Sequence, residues 1–259
     1  MAQFPSSSSA YGIWSLKEQR DAVRGDNWPI IALPTDPDFA NVSLLLHGDG
    51  TDGSTTFTDS SLNNFTVTAN GDAQIDTAVK KFGTGSMEFD GSGDYLTCSA
   101  SVAFDLALSA VDFTIEAWIY PKQNRTIHTI AAVWPQGIGI EQWIFCIRDG
   151  VVGFVWSPDN INDVFISGGS VPLNQWSHVA VTRSGNTFRL FLNGTQTATG
   201  TNSSTSGSSG PLTIGYYGSG TGASTTSYWD GYIDDLRITK GVARYTTTFT
   251  PPAEPFPDQ

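Results

Sequence analysis

From residue 42 onward, short apolar runs alternate with turn residues, a pattern typical of β-strands joined by tight turns. The pair Asp149-Gly150 and the segment Ser184-Gly185-Asn186 each join two neighbouring runs, which predicts hairpins. Strands at this spacing predict an all-β fold, a sandwich of two antiparallel sheets. The predicted strands are Ser43–His47, Phe65–Ala69, Gly85–Phe89, Tyr95–Cys98, Phe113–Tyr120, Thr129–Trp134, Trp143–Ile147, Val152–Trp156, Val164–Ser167, His178–Arg183, Thr187–Asn193, Leu212–Tyr216 and Tyr228–Ile238.

One acidic residue breaks the alternation in the last of these strands. Asp234 shares the parity of the apolar residues Tyr232 and Leu236, so the pattern predicts that its carboxylate faces the core. A buried carboxylate is costly unless a cation or several donors meet it. Two alternatives result for Asp234: it is a metal ligand, or it accepts backbone N–H groups or pairs with an arginine such as Arg237 or Arg244.

The first forty residues differ from the rest of the chain. Ser15 and Glu18 have the spacing of a capping box and Gly25 supplies a stop, so we expect a short helix over about residues 16–24. Prolines at positions 29, 34 and 37 then predict an extended linker. The predicted organisation is an N-terminal segment at 1–40, a β-sandwich at 41–250 and a Pro-rich C-terminal tail at 251–259.

Composition and charge exclude several classes of function. A net charge of -12 with no cluster of Lys or Arg argues against a nucleic-acid partner. No apolar stretch approaches the roughly 20 residues that span a bilayer, and the N-terminus lacks the pattern of a secretory signal. Cys98 and Cys146 lack a metal-binding spacing; they could pair, but two cysteines in such a chain are more often buried free thiols.

Two groups of aromatic residues lie beside predicted loops. Tyr216 and Tyr217 stand at the mouth of a Gly/Ser/Thr-rich loop, and Trp156 precedes a turn that holds Asp159 and Asn160. Sugars stack on exposed aromatic rings while neighbouring Asp and Asn side chains bind hydroxyls, so both groups are candidate glycan-binding sites. The alternative is that these rings fill the sandwich core.

Several motifs together resemble the laminin-G-like family of concanavalin A-type jelly rolls. They lie in the family's order over residues 42–240, and the resemblance implies a jelly-roll sandwich. The fold alone does not decide the function, because this sandwich carries lectins, hydrolases and adhesion modules. The motifs are LLLHGDG at 44–50, TDSS at 58–61, FGTGS at 82–86, FDGSGDYL at 89–96, DFTIEAWI at 112–119, WSHVAVTR at 176–183, LFLNG at 190–194 and the strand at 231–238.

The glucanase branch of this fold carries three spaced acids on its catalytic strand. The nearest sequence here, Glu88-Phe89-Asp90, lacks the third acid, so we expect no enzymatic activity. In that branch an Asp of the last strand holds a structural calcium ion, and the matching residue is Asp234. Calcium prefers six to eight oxygen ligands, so Asp49 and the backbone at Gly91 are predicted as helpers.

The two ends of the chain suggest a setting. The tail at 238–257 resembles the ending of laminin-G-like proteins in phage genomes, and the opening at 12–29 is similar to segments of virion proteins from marine tailed phages. The resemblance implies a virion decoration, fibre or adhesin module, assembled in the host cytoplasm as a homo-oligomer on the particle. Trp14, Leu16 and Trp28 would anchor it to capsid or tail proteins. The alternative is a lectin, with or without calcium, that recognises host glycans through loops such as 199–210.

Overall fold

The structure, a computed structural model, describes residues 35–106, 111–134, 142–157, 163–202, 209–218 and 227–259. The predicted anchor residues Trp14, Leu16 and Trp28 lie outside the described residues, and so do Asp159 and Asn160. Residues Asp36–Asp258 form one compact unit, which contains all of the strands.

Sixteen strands run through the described residues, with short 3₁₀ turns at Phe39–Asn41 and Val102–Phe104. The strands are β1 (Val42–Leu46), β2 (Phe57–Thr58), β3 (Thr66–Asn70), β4 (Gln74–Asp76), β5 (Ser86–Asp90), β6 (Tyr95–Cys98), β7 (Phe113–Pro121), β8 (Ile127–Val133), β9 (Trp143–Arg148), β10 (Val151–Trp156), β11 (Val164–Ser170), β12 (Ser177–Ser184), β13 (Thr187–Leu192), β14 (Thr195–Thr201), β15 (Leu212–Ile214) and β16 (Asp230–Lys240).

The strands form two eight-stranded sheets, which confirms the predicted all-β sandwich. Sheet A has the order β14-β13-β12-β7-β16-β5-β4, with β1 paired to the second half of β16. Sheet B has the order β11-β10-β9-β8-β15-β6-β3-β2. The two predicted hairpins are present: β9 and β10 meet at Asp149-Gly150, where both residues have positive φ, and β12 and β13 meet at Gly185-Asn186.

The core lies between the two sheets and is rich in aromatic rings. Trp143 and Phe154 from sheet B pack with Phe113 and Phe188 from sheet A, and the rings of Trp156 and Phe188 stack at 4.2 Å. Burial of each large apolar side chain contributes roughly 1.5–3 kcal/mol, which holds the sheets face to face. Cys98 and Cys146 are both buried and free, so they are unpaired thiols and not a disulfide.

A bulge in β16 breaks the alternation between Asp234 and Leu236. Asp235 has φ +53°, and the register between β16 and β7 shifts between Asp234 and Arg237. Because of this extra residue, Ile233 and Leu236 both enter the core, although three positions separate them. Asp234 therefore lies on the outer face of sheet A, and the prediction that it faces the core is wrong.

The segment at 199–210, which the composition predicts as a loop, begins inside a strand. Thr199 to Thr201 belong to β14, an edge strand that pairs with β13 through the Asn193-Gly194 turn. Polar Thr and Gly residues are compatible with a strand at the edge of a sheet, because one of its edges faces solvent and its side chains need little core contact.

Residues 241–258, here called the C-terminal segment, lie across the outer face of sheet A. The segment is joined to the sheet by hydrogen bonds along its length: Thr114 Oγ1 donates to the Val242 carbonyl at 3.0 Å, and Thr182 Oγ1 donates to the Tyr245 carbonyl at 2.8 Å. Farther along, the Phe256 amide donates to Asp235 Oδ2 at 2.8 Å. The segment covers one half of this face and leaves the other half open.

Candidate binding site on the outer face of sheet A

The covered half of the outer face contains a buried charge network. Arg237 on β16 donates to Glu116 Oε1 on β7 at 2.7 and 3.0 Å and to Asp36 Oδ2 at 3.0 Å. Arg244 donates to both oxygens of Asp36, at 2.9 and 2.7 Å, and the Tyr245 hydroxyl donates to Glu116 Oε2 at 2.8 Å. Two carboxylates, two guanidinium groups and one phenol thus satisfy one another away from water.

Glu116 is locked as an anion inside this network. Burial by itself would raise the pKa of Glu116, but the Arg237 charge and the imidazole of His178, whose Nε2 lies 3.3 Å from Glu116 Oε2, lower it to about 2. A carboxyl group with such a pKa holds no proton at neutral pH, and Glu116 is fully buried. It therefore serves the fold and is unsuited to general acid catalysis.

The open half of the same face presents a row of paired side chains. Gln74 on β4 pairs with Glu88 on β5, Glu88 pairs with Tyr232 on β16, and Tyr232 pairs with Tyr120 on β7. Trp176 continues the row next to Tyr120. Ser177 pairs with Ile119 in the antiparallel ladder, so the residue before Ser177 lies opposite the residue after Ile119. We call these five residues the open row.

The polar end of the open row is a hydrogen-bonded cluster around Glu88. Gln74 Nε2 donates to Glu88 Oε2 at 3.2 Å, and the Lys122 ammonium lies 3.1 Å from Glu88 Oε1. Tyr232, the cross-strand partner of Glu88, also helps to lower the pKa of Glu88. Burial by itself would raise the pKa of Glu88, but these hydrogen bonds and the Lys122 charge hold it below its usual range. The Lys122 side chain is 36% exposed.

The aromatic end of the open row consists of Tyr120 and Trp176. Their rings meet edge to face at 5.6 Å, and both side chains are half-buried. Tyr232, between the two ends, is 7% exposed and has the Lys122 ammonium 4.4 Å from its ring centroid, so its ring offers little surface to a ligand. Trp176, at the start of the motif at 176–183, packs against Tyr120 and keeps part of its side chain in solvent.

Of the predicted glycan-binding residues that the structure describes, two are buried. Trp156 is 3% exposed and stacks on Phe188 in the core, so its indole offers no face to a ligand. Tyr216 is 7% exposed and stacks on Tyr228 at 4.4 Å. Tyr217 is half-buried, with its ring edge-on to Trp134 at 6.4 Å. Sugar binding by Tyr217 stays a prediction.

Two of the predicted metal ligands hold one loop. Asp234 Oδ2 accepts the backbone N–H groups of Lys81 and Phe82 at 2.7 and 3.1 Å, and Asp49 accepts the N–H and hydroxyl of Thr84. Burial raises the pKa of Asp234 to about 7, and the charges of nearby acids also raise it, whereas the two backbone hydrogen bonds lower it. This is the backbone-acceptor alternative stated for Asp234.

The third predicted ligand, Gly91, lies elsewhere. Gly91 follows Asp90, which pairs with Asp230. Asp234 is four positions beyond Asp230 on β16, so the two residues are roughly 13 Å apart at the rise of a strand. The Gly91 carbonyl accepts from Arg125 at 2.8 Å, and that guanidinium would repel a cation. Gly91 thus does not fit a calcium site with Asp234 and Asp49, and calcium binding by those two acids stays a prediction.

A cleft of about 250 Å³ lies beside β1 and is lined in part by His47, Ser60 and Asp258. His47 Nδ1 lies 2.5 Å from Asp235 and its Nε2 lies 2.7 Å from Asp258. Burial by itself would lower the pKa of His47, but hydrogen bonds and charges from the two carboxylates raise it to about 9. At neutral pH this imidazole is a cation with both nitrogens engaged, so it has no lone pair with which to activate Ser60.

The comparisons with known proteins agree with this sandwich. A family model described as the concanavalin A-like lectin/glucanases superfamily matches residues 90–244, more than half of the chain. The chain belongs to this superfamily. The lectin/glucanase membership confirms the jelly-roll architecture that the motifs predict. A search of curated proteins found no match.

Solved structures with this fold include clostridial toxin binding domains. They are the binding domain of Paraclostridial Mosquitocidal Protein 1 (14% identity, TM-score 0.60, 80% of this chain and 50% of that chain), the receptor binding domain of botulinum neurotoxin D (15%, 0.61, 80% and 50%) and the binding domain of botulinum neurotoxin DC in complex with SialylT (16%, 0.57, 85% and 50%). This chain spans about half the length of each. At such identities the likeness concerns the fold.

Two other features, a metal-binding cluster and a membrane-spanning helix, are absent from the part of the chain that the structure describes. Within the described ranges, no group of three or more His, Cys, Asp or Glu side chains is arranged to hold a metal ion. Over the same ranges, the structure contains no helix with the length and hydropathy of a membrane span.

The sequence misses most of the open row. Tyr120, Tyr232 and Glu88 lie on three strands that are far apart in the chain, and their contact depends on the pairing of β5, β16 and β7. The one local signal is the position of Trp176 immediately before a strand, since residues at strand ends are often left partly exposed.

Proposed function

We propose that this chain is a non-catalytic saccharide-binding module whose ligand contacts the open row. The observation that carries the proposal is the position of two half-exposed rings, Tyr120 and Trp176, beside the Glu88–Lys122 pair on a sheet face that the C-terminal segment leaves open. Membership of a superfamily that includes lectins supports it.

The chemistry of the row matches that of a sugar. Pyranose rings present C–H groups that stack on aromatic faces, and Tyr120 and Trp176 provide partly exposed rings for this contact. Sugar hydroxyls both donate and accept, and Glu88 and Lys122 offer an acceptor and a donor side by side at 3.1 Å. Each such hydrogen bond to a charged group contributes about 1.5–3 kcal/mol.

Glu116 and Glu88, the acids of the two charge clusters on this face, do not support hydrolysis. Glycoside hydrolysis requires two carboxyl groups that flank the bond, one of them protonated. Glu116 is buried with a pKa of about 2, and Glu88 is held as an anion by Lys122. These two environments support a role in binding and not in chemistry.

A glycan array followed by calorimetry tests the proposal. We expect the native protein to bind at least one class of saccharide, and Trp176→Ala and Tyr120→Ala to weaken that binding at least tenfold, since truncated aromatic contacts dominate such sites. Phe165→Ala is the matched control, because Phe165 is a 37% exposed aromatic residue on sheet B. Measurements in calcium and in EDTA test the calcium prediction in the same experiment.

Three results would contradict the proposal. An array that stays blank in both buffers would exclude saccharide binding. Binding that survives Trp176→Ala and Tyr120→Ala in proteins with unchanged melting curves removes the open row as the site. Release of reducing sugars from the bound saccharide removes the non-catalytic assignment.

Display on a tailed-phage particle is a separate proposal that rests on the likeness of the two chain ends to phage proteins. In this proposal residues 1–40 attach the module to capsid or tail proteins, with Trp14, Leu16 and Trp28 as the anchoring contacts. Deletion of residues 1–35, which keeps Asp36 of the buried charge network, would then release the protein from particles and leave saccharide binding intact. Particles that retain the truncated protein would contradict it.

A further inference from the structure

The open row crosses the sheet at right angles to its strands. Gln74, Glu88, Tyr232 and Tyr120 are direct partners on four adjacent strands, and Trp176 stands at the next position, beside the start of β12. Adjacent strands are separated by about 4.8 Å, so the row is roughly 19 Å long. A single sugar ring is much shorter than this.

The two ends of the row differ in chemistry. Trp176 and Tyr120 provide ring surface, whereas Gln74 and Glu88 provide an amide and a carboxylate. Lys122 lies between them, over the ring of Tyr232, with part of its side chain in solvent. The aromatic end can stack against one sugar ring, and the polar end can bind only the hydroxyls of another.

We infer that the ligand of the open row is a linear oligosaccharide bound across the strands, with one unit on Tyr120 and Trp176 and a later unit at a second subsite made by Gln74 and Glu88. This inference rests on the proposed function. The second subsite adds affinity only for a chain long enough to reach it, so the length of the ligand is part of what the site recognises.

A ladder of oligosaccharides tests the inference. The probes are cello-, laminari-, manno- and chito-oligosaccharides from the monosaccharide to the hexasaccharide, titrated against the native full chain by calorimetry. We expect affinity to rise at least tenfold between the disaccharide and the tetrasaccharide of the class that binds, and then to level off when the row is filled.

Variants at the polar end separate the two subsites. We expect Gln74→Ala and Glu88→Gln each to lower the affinity for the tetrasaccharide about threefold to tenfold, because one or two hydrogen bonds are lost. The affinity for the disaccharide should not change. Gln196→Ala is the matched control for the amide, since Gln196 is exposed on β14 at the opposite edge of sheet A. Glu254→Gln, at an exposed residue of the C-terminal segment, is the control for the charge.

The outcomes distinguish this inference from the proposed function. If a disaccharide binds as tightly as a tetrasaccharide and Trp176→Ala weakens both, the extended site is wrong and saccharide binding on the row stands. If Gln74→Ala weakens both lengths equally, the second subsite is wrong. If no saccharide binds, both proposals fall together.

Discussion

The covered and open halves of sheet A are built on the same strands and each contains an acid–base pair, yet the two pairs differ in surroundings. Glu116 and Arg237 are at most 5% exposed and lie under the C-terminal segment, with Asp36 and Tyr245 completing the network. Glu88 and Lys122 are 22% and 36% exposed. One segment of chain therefore decides which pair is structural and which is free to meet a ligand.

The physical difference is the cost of desolvation. A buried charge that loses its partner is left without water, whereas an exposed charge is solvated again at once. The charged groups of the covered half therefore stay paired with each other. Those of the open half can exchange bound water for other hydrogen-bonding groups, such as the sugar hydroxyls of the proposed ligand. Three substitutions and one pH titration test this contrast, and their expected effects decrease from Arg237 to Lys122.

Arg237→Ala is expected to have the largest effect. It leaves Glu116 and Asp36 buried with fewer cations, so the free energy of unfolding should fall by about 3–5 kcal/mol, measured by urea denaturation at neutral pH. Arg148→Ala, at an exposed arginine of sheet B, is the control and should cost less than about 1 kcal/mol. A loss below about 1 kcal/mol for Arg237→Ala would show that the network does not stabilise the covered half.

The His47 contact should make the fold sensitive to alkali. The pKa of about 9 in the folded protein exceeds the ordinary value of 6.5, so protonated His47 stabilises the fold fully below pH 6.5 and this contribution is lost as pH rises to about 9. The expected loss is roughly 3 kcal/mol in the free energy of unfolding across that window. Urea titrations at several pH values measure it. His47→Gln should flatten the profile, and an unchanged slope in that variant would contradict the assignment.

Tyr245→Phe tests one hydrogen bond between the C-terminal segment and the sheet. The phenol donates to the charged Glu116 at 2.8 Å, and loss of such a bond costs about 1.5–3 kcal/mol. Thermal and urea unfolding should show this loss while saccharide affinity at the open row stays the same. Tyr217→Phe, at a tyrosine packed against residues of sheet B, is the control. An equal loss there would mean that the effect is not specific to the network.

Lys122→Gln should have the smallest effect on stability. Exposed ion pairs contribute up to about 1 kcal/mol, so the free energy of unfolding should change by less than that, although the pair has the same chemical character as the one under the C-terminal segment. Saccharide affinity should fall, because a donor at the centre of the row is weakened. A stability loss near that of Arg237→Ala would remove the distinction between the two halves.

The alternation of apolar residues was sufficient to predict most strands, the hairpins at Asp149-Gly150 and Gly185-Asn186, and the sandwich. These features depend on local patterning and turn chemistry, which a sequence displays directly. Asp234 was misplaced because a bulge at Asp235 inserts a residue and reverses the parity of the strand. Strand alternation alone does not reveal a bulge.

Periodicity, turn residues and charge are properties of the chain itself, and they were enough to specify an acidic, all-β sandwich. The place of the proposed ligand site depended on the tertiary structure. Gln74, Glu88, Tyr120, Trp176 and Tyr232 meet through long-range strand pairing, and the C-terminal segment folds back to bury one half of their sheet face while leaving theirs open. Neither effect is encoded in any local pattern, because both depend on contacts between residues that are distant in the chain.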